Sequence, residues 1–181
     1  LPCGDRRPVG FPQLVAPDDP AFRQDLGLYA PPSECSIALH IYSGGDPLKL
    51  KLHRAEDRGT KQAPAEMFTG TVYQDAVLVG EAPSRMRATN VTFTPGARTA
   101  WHQHPVGQTL WVVYGVGRVQ IEGEPVVELC PGDTAIIPPN VRHWHGAAPD
   151  RIFTHLAMSE TDDNGGGTEW FEKVSDADYS G

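Results

Sequence analysis

Two closely spaced histidine pairs constrain this chain of 181 residues more than any other feature. One residue separates His102 from His104, and one residue separates His143 from His145. Side chains on a β-strand alternate between its two faces, so both members of a pair project to the same side. Two such pairs on neighbouring strands bring three or four imidazoles to one point inside a barrel. Because imidazole is a common ligand of divalent transition metals, the spacing predicts a metal site built on strands.

Gln108 is expected to complete the ligand set with His102, His104 and His143. It follows Pro105 and Gly107, which bend the chain back towards the histidines. Three neutral imidazoles and a neutral amide leave a divalent cation with its full double charge, whereas a carboxylate would cancel one unit. Such a site attracts anions and polarises a hydroxyl or carbonyl oxygen.

Two further histidines are expected to face the same cavity. His145 shares the strand face of His143 and is either a general base beside the metal or a hydrogen-bonded residue of the wall. His155 lies on the same strand face as Ser159 by alternation. It is either a hydrogen-bond donor behind the site or part of the pocket wall.

Composition favours a small all-β fold and excludes several classes of function. The 19 glycines and 17 prolines favour short strands and tight turns over long helices. No apolar run is long enough to span a membrane. The net charge of −8 offers no basic face for nucleic acid. A small molecule is therefore the expected partner.

Residues 61–181 are predicted to form the barrel domain. Trp101 and Trp111 are expected in its core, Trp144 is expected to point away from the site, and Ser175 is expected to cap a last turn of helix. The predicted strands lie between glycine- and proline-rich turns at residues 69–73, 87–94, 108–114, 117–122, 126–129, 133–137, 143–146 and 152–159.

Residues 1–60 are predicted to form an N-terminal extension. A short helix is expected over residues 21–28, and residues 36–42 and 48–52 are expected to supply edge strands or a dimer contact. Cys3 and Cys35 could pair in a secreted protein, although a cytoplasmic location is slightly favoured. Cys130 is expected to be a small buried apolar side chain.

The two histidine blocks resemble the sequence motifs of the cupin superfamily. Residues 96–115 follow G-x5-H-x-H-x3-E-x6-G, with Gln108 in place of the glutamate. Residues 132–147 resemble G-x5-P-x-G-x2-H-x3-N, with Asn140 and Ala147 in place of the last glycine and the asparagine. This resemblance implies a single-domain double-stranded β-helix, the jelly-roll barrel of cupins.

Residues 96–104, 143–149 and 154–157 are similar to small bacterial manganese-dependent cupins with hydroxynitrile lyase activity. The resemblance implies a homodimer with one divalent metal ion per chain. Mn(II) is favoured, and Fe(II), Co(II), Ni(II) and Zn(II) stay open. It implies that a cyanohydrin binds the metal through its hydroxyl, that His145 takes the proton, and that His155 stabilises the leaving cyanide. The residues matching that group's pocket wall are Thr89, Val91 and Ser159.

Two other functions stay open on the sequence. Three histidines with free coordination positions could bind Fe(II) and O2, which predicts a cupin dioxygenase. A cupin that only binds a ligand, without catalysis, is the third interpretation, because one fold hosts many functions.

Overall fold

A computed structural model of the protein describes residues 50–181, whose regular secondary structure is almost entirely β-strand. A 3-10 turn at Ala55–Asp57 precedes the first strand. No helix in this part of the chain is long and apolar enough to cross a membrane. The strands are β1 (Thr60–Gln62), β2 (Phe68–Thr69), β3 (Val72–Val79), β4 (Met86–Phe93), β5 (Arg98–Gln103), β6 (Gln108–Gly115), β7 (Gly117–Ile121), β8 (Val127–Leu129), β9 (Thr134–Ile137), β10 (His143–Ala147), β11 (Phe153–Glu160) and β12 (Glu169–Lys173), and helix α1 (Asp176–Ser180) follows.

The strands form two antiparallel sheets that share one hydrophobic core. One sheet has the order β1-β3-β4-β11-β6-β9, and the other has the order β12-β5-β10-β7-β8, with β2 paired to β5. Phe93, Leu110 and Phe153 of the first sheet are fully buried in the same cluster as Val119 and Leu129 of the second. The predicted all-β cupin barrel is confirmed.

Alternation along the strands decides which side chains enter the core. In β6, Leu110 and Val112 are buried, whereas Trp111 and Val113 are each 47% exposed. The expectation that Trp111 is a core residue was therefore wrong, because its neighbours Leu110 and Val112 take the inward positions. Trp101 is buried as expected.

The C-terminal segment packs on the outer face of the second sheet. Ser175 caps α1 by accepting a hydrogen bond from the backbone of Asp178 at 3.0 Å, as predicted. The Tyr179 hydroxyl donates to the carbonyl of Ala147 at 2.7 Å, and its ring packs against the fully buried Trp144. Trp144 thus lies beneath β10, on the face opposite the histidines.

Two strands that position the site were absent from the predicted set. β5 carries His102, and β12 pairs with it through Trp170. The segment around residue 60, for which no strand was predicted, contains β1, which pairs with β3. These short strands have little pattern of their own and form because a partner strand lies beside them.

Most expectations for the N-terminal extension fall outside the described residues. The helix over 21–28, the strand over 36–42 and the pairing of Cys3 with Cys35 all lie there, and residues 50–52 form no strand. His53–Gly181 belongs to one compact unit. The boundary near residue 60 stays a prediction.

Cys130 is buried and disulfide-bonded, which differs from the expected buried thiol.

Candidate metal centre

Two adjacent strands bring the histidine pairs together. β5 and β10 are antiparallel neighbours in which His102 lies directly opposite His143. The ring centroids of these two histidines are 4.2 Å apart, and that of His145 is 5.2 Å from His102. His102, His104, His143 and His145 are all at most 5% exposed. The convergence that the His-x-His spacing predicts is therefore present in the fold.

Backbone carbonyls orient the His102 and His143 rings. Nδ1 of His102 lies 3.0 Å from the carbonyl oxygen of Ala100, and Nδ1 of His143 lies 2.9 Å from that of Val141. Because a carbonyl oxygen only accepts, each Nδ1 carries the proton. Each Nε2 then keeps its lone pair, which is the arrangement that metal-binding histidines adopt.

Gln108 reaches this centre from the opposite sheet. Its Oε1 lies 3.0 Å from Nε2 of His143. In the neutral ring that the Val141 contact selects, both of these atoms are acceptors, so the contact is favourable with a cation between them or with the Gln108 amide turned to present its NH2 group. Burial lowers the pKa of His143, which disfavours the proton. The pair therefore fits a bound cation.

Two buried ring nitrogens add to this fit. Nε2 of His104 and Nε2 of His145 have no hydrogen-bond partner among the described residues. The other ring nitrogen of His104 lies 3.4 Å from the Thr168 hydroxyl. Leaving a buried polar atom unpaired costs about 1–3 kcal/mol, and a metal ion accepting its lone pair removes that cost.

Three histidines could hold a metal ion directly. Ligand atoms of His102, His143 and His145 lie within 4.8 Å of one another. This group contains His145, whereas the predicted ligand set contains His104, whose ring centroid is 5.3 Å from that of His102. All donors are neutral, so a bound divalent ion would keep its full charge. This agrees with the expectation from the glutamine at position 108, where the cupin motif has a glutamate.

His155 lies behind His145 and does not line the cavity. Its Nε2 is 3.2 Å from Nδ1 of His145, and the side chain is fully buried. The rings of Phe93 and Phe153 pack against it, with centroids 5.6 and 5.1 Å away. Alternation correctly predicted that His155 faces inward, but only the contact between the sheets shows that it meets His145.

Burial makes these imidazoles poor proton binders. It lowers the pKa of His104 to about 4 and that of His155 to about 3. It also lowers the pKa values of His102 and His145, and neighbouring histidines lower them further. The rings are therefore neutral near pH 7, the state in which imidazole donates a lone pair to a metal or accepts a proton.

A cavity of about 220 Å³ opens beside the histidines. Its size is below the ~300–1,000 Å³ of pockets for drug-sized ligands, which indicates a small ligand. His102, His104, Gln108 and His145 line it, whereas His143 lies outside its lining. The predicted wall residues Thr89, Val91 and Ser159 are all among the lining residues.

Seven lining residues were missed on the sequence, namely Phe68, Gln74, Arg87, Thr99, Ala157, Thr168 and Trp170. The Trp170 ring stacks on that of His102, at 4.8 Å and 30°, and Phe68 lies 5.6 Å from Trp170. Arg87 lies two residues before Thr89 on β4, so strand alternation from Thr89 would have predicted that Arg87 also lines the cavity. No local pattern could have found Trp170, because it enters the site only through the pairing of β12 with β5.

Comparisons with known proteins identify the family. Residues 89–156 match the cupin domain family. An (R)-mandelonitrile lyase from Granulicella tundricola is 45% identical over 130 residues, which are 72% of this chain and 98% of that protein. The chain therefore belongs to the cupins, and one of its relatives is named as a lyase.

Solved structures agree with this assignment. A cupin-like protein from Thermotoga maritima is 40% identical, with a TM-score of 0.63 over 67% of this chain and 91% of its own. A polyketide cyclase from Streptomyces resistomycificus shares the fold at 15% identity, with a TM-score of 0.57 over 73% of this chain and 92% of its own.

Proposed function

We propose that this protein is a metal-dependent lyase that cleaves small cyanohydrins to an aldehyde and hydrogen cyanide. The observation that carries this proposal is the buried His145, which lines a small cavity beside His102 and Gln108 and whose Nε2 has no hydrogen-bond partner among the described residues. The 45% identity to an (R)-mandelonitrile lyase supports the substrate class. Neither the cavity nor the metal ligands alone would select this reaction.

We assign the metal to His102, His104, Gln108 and His143, with Mn(II) as the expected ion. The two carbonyl-oriented rings and the Gln108 oxygen support three of these ligands, and the orphaned Nε2 of His104 supports the fourth. When bound, such an ion supplies positive charge that polarises a hydroxyl or carbonyl oxygen. His145 is then left free to move a proton.

His145 accepts the hydroxyl proton of the substrate at Nε2. As the O–H bond breaks, the carbon–oxygen bond becomes a carbonyl, and the electron pair of the C–CN bond leaves with cyanide. Cyanide then takes the proton from His145 and departs as hydrogen cyanide, which restores the neutral ring. A buried neutral imidazole at working pH is suited to both transfers.

His155 is a positioning residue in this scheme. Nδ1 of His145 lies 3.2 Å from Nε2 of His155, and we assign His145 as the donor of this hydrogen bond. The proton of neutral His145 is then on Nδ1, and its Nε2 keeps the lone pair that accepts the substrate proton. This hydrogen bond gains strength when His145 becomes charged. His155 is not among the residues that line the cavity, so we do not expect it to contact the leaving cyanide. We propose instead that it supports the base His145.

Metal content and cleavage of (R)-mandelonitrile, measured on the same samples, test the proposal. We expect His102→Ala to lose metal and activity together, and His145→Ala to keep its metal but lose cleavage. The exposed His53 is a matched control outside the site, and His53→Ala should retain both.

Three outcomes would contradict parts of this scheme. Stoichiometric metal without cleavage would refute the lyase, and oxygen uptake with Fe(II) would then support the dioxygenase. Metal loss in His145→Ala would place His145 among the ligands, as the His102, His143 and His145 group allows. No metal binding after reconstitution with Mn(II), Fe(II) or Zn(II) would refute the metal site.

We also propose that the protein forms a homodimer. The large apolar side chains of Trp111, Val113 and Ile136 are exposed on the outer face of β6 and β9, which supports contact with a second copy. We expect the mass measured by light scattering to be that of a dimer, and a monomer mass would contradict it.

A further inference from the structure

The candidate cavity has an unusual charge. The chain carries 23 acidic and 15 basic residues, yet no aspartate or glutamate within residues 50–181 lines this cavity. Among these described residues, Arg87 is the one lining residue with a permanent charge, since the histidines and Gln108 are neutral. In a protein of net charge −8, this site is locally positive.

The strand register places Arg87 in line with a predicted metal ligand. Arg87 on β4 pairs with Ser159 on β11, and Ser159 pairs with Gln108 on β6. These three residues form one row across the inner face of the sheet, and all three line the cavity. Adjacent strands are about 4.8 Å apart, so the Cα atoms of Arg87 and Gln108 are about 10 Å apart.

The Arg87 guanidinium is free to bind a ligand. It has no ion-pair or hydrogen-bond partner within residues 50–181. The nearby carboxylates are used by Arg85, which pairs with Asp163 and lies 4.0 Å from Glu160. A guanidinium offers five N–H donors in a planar fork that matches a carboxylate.

We propose that Arg87 recognises a carboxylate on the substrate, so that the physiological substrate is an anionic cyanohydrin. This inference rests on the proposed function. The reacting carbon lies at the histidine end of the row, and the carboxylate lies at the Arg87 end, with the Ser159 hydroxyl as a second donor. Cleavage then yields hydrogen cyanide and an aldehyde that keeps the carboxylate.

Two cyanohydrins that differ only in charge test this assignment with metal-loaded enzyme. Mandelonitrile is neutral, and 4-carboxymandelonitrile carries the carboxylate. We expect wild type to prefer the carboxylated substrate, and Arg87→Met to lower its kcat/KM by about tenfold, mainly through KM. Cleavage of mandelonitrile should change less than about twofold. Arg87→Lys, which keeps the charge but not the fork, should lose less than Arg87→Met.

Arg85→Met is the matched control, since Arg85 lies two residues away and outside the cavity lining. It should leave the preference unchanged, because its exposed ion pairs contribute little to stability. Should Arg87→Met fail to fold, as judged by circular dichroism, Arg87→Gln replaces it. A preference that survives loss of Arg87, or that Arg85→Met abolishes equally, would overturn the proposal.

Calorimetric binding of 4-(hydroxymethyl)benzoate and benzyl alcohol separates this inference from the lyase assignment. We expect the benzoate to bind about tenfold more tightly to wild type and to lose that advantage in Arg87→Met. Equal affinity in wild type would refute the carboxylate site. If the advantage depends on Arg87 but neither cyanohydrin is cleaved, the anion site stands and the lyase function fails.

Discussion

Gly146 allows β10 to approach β5 closely enough for the histidines to meet. A Cβ atom added at Gly146 would lie 2.4 Å from the carbonyl oxygen of Ala97 and 2.6 Å from Cβ of Arg98. The same Ala97 oxygen accepts a hydrogen bond from the backbone of Ala147 at 2.8 Å. Gly146→Ala therefore creates a clash at a backbone hydrogen bond between the two strands.

The size of the effect follows from these distances. Real Cβ contacts essentially never fall under 3.0 Å, so the strands must separate by at least about 0.6 Å. Overpacking of this kind costs about 1–3 kcal/mol. For a chain of this length, that corresponds to a fall in Tm of about 2–12 °C. Because His143 and His145 lie on the displaced strand, metal binding should weaken as well.

Thermal unfolding of purified Gly146→Ala, with and without added Mn(II), measures both effects. Gly59→Ala is the matched control, since no atom lies within 4 Å of its added Cβ. We expect that control to change the free energy of unfolding by less than about 0.5 kcal/mol. Two results together would refute this reasoning. Gly146→Ala would have to be as stable as Gly59→Ala, and Mn(II) would have to raise the Tm of both variants equally. The close approach of β10 to β5 would then not be needed.

Three further predictions address the ligands and the scaffold. His104→Ala should weaken Mn(II) binding at least about tenfold in a chelator competition, whereas His53→Ala should not. Tyr179→Phe removes the hydrogen bond to the Ala147 carbonyl and should lower the free energy of unfolding by about 1 kcal/mol in urea. The pKa values of His104 and His155 are lowered to about 4 and about 3, below the ordinary value of 6.5. Metal-free protein should therefore be fully stabilised above about pH 6.5 and lose stability as the pH falls from there towards 4, by up to about 1.4 kcal/mol per pH unit for each histidine. A flat urea midpoint between pH 7.5 and 5 would contradict this.

The strand period made much of the site predictable from the sequence. Alternation placed His143 and His145 on one inner face, and it placed His155 and Ser159 on another. It also sent Trp144 to the opposite side of β10, where it packs against Tyr179. These predictions succeeded because the direction of a side chain along a strand depends on parity alone.

Predictions failed where alternation was not applied to a strand residue, as for Trp111 and Arg87, and where distant strands had to be paired, as for Trp170. Trp111 was expected in the core, yet its position on β6 faces outward. Trp170 was not expected in the site, since only the pairing of β12 with β5 stacks it on His102. Arg87 was missed although alternation from Thr89 places it on the same face of β4 as the other two cavity residues of that strand.

The sequence by itself determined the kinds of ligand, their spacing and the neutral charge of the donor set, because these depend only on residue identity and strand period. The tertiary structure decided which of these groups meet. His145 lies on one sheet and His155 on the other, and their 3.2 Å contact exists only because the two sheets pack together. The row of Arg87, Ser159 and Gln108 likewise depends on the register of three strands, which is a non-local property of the folded chain.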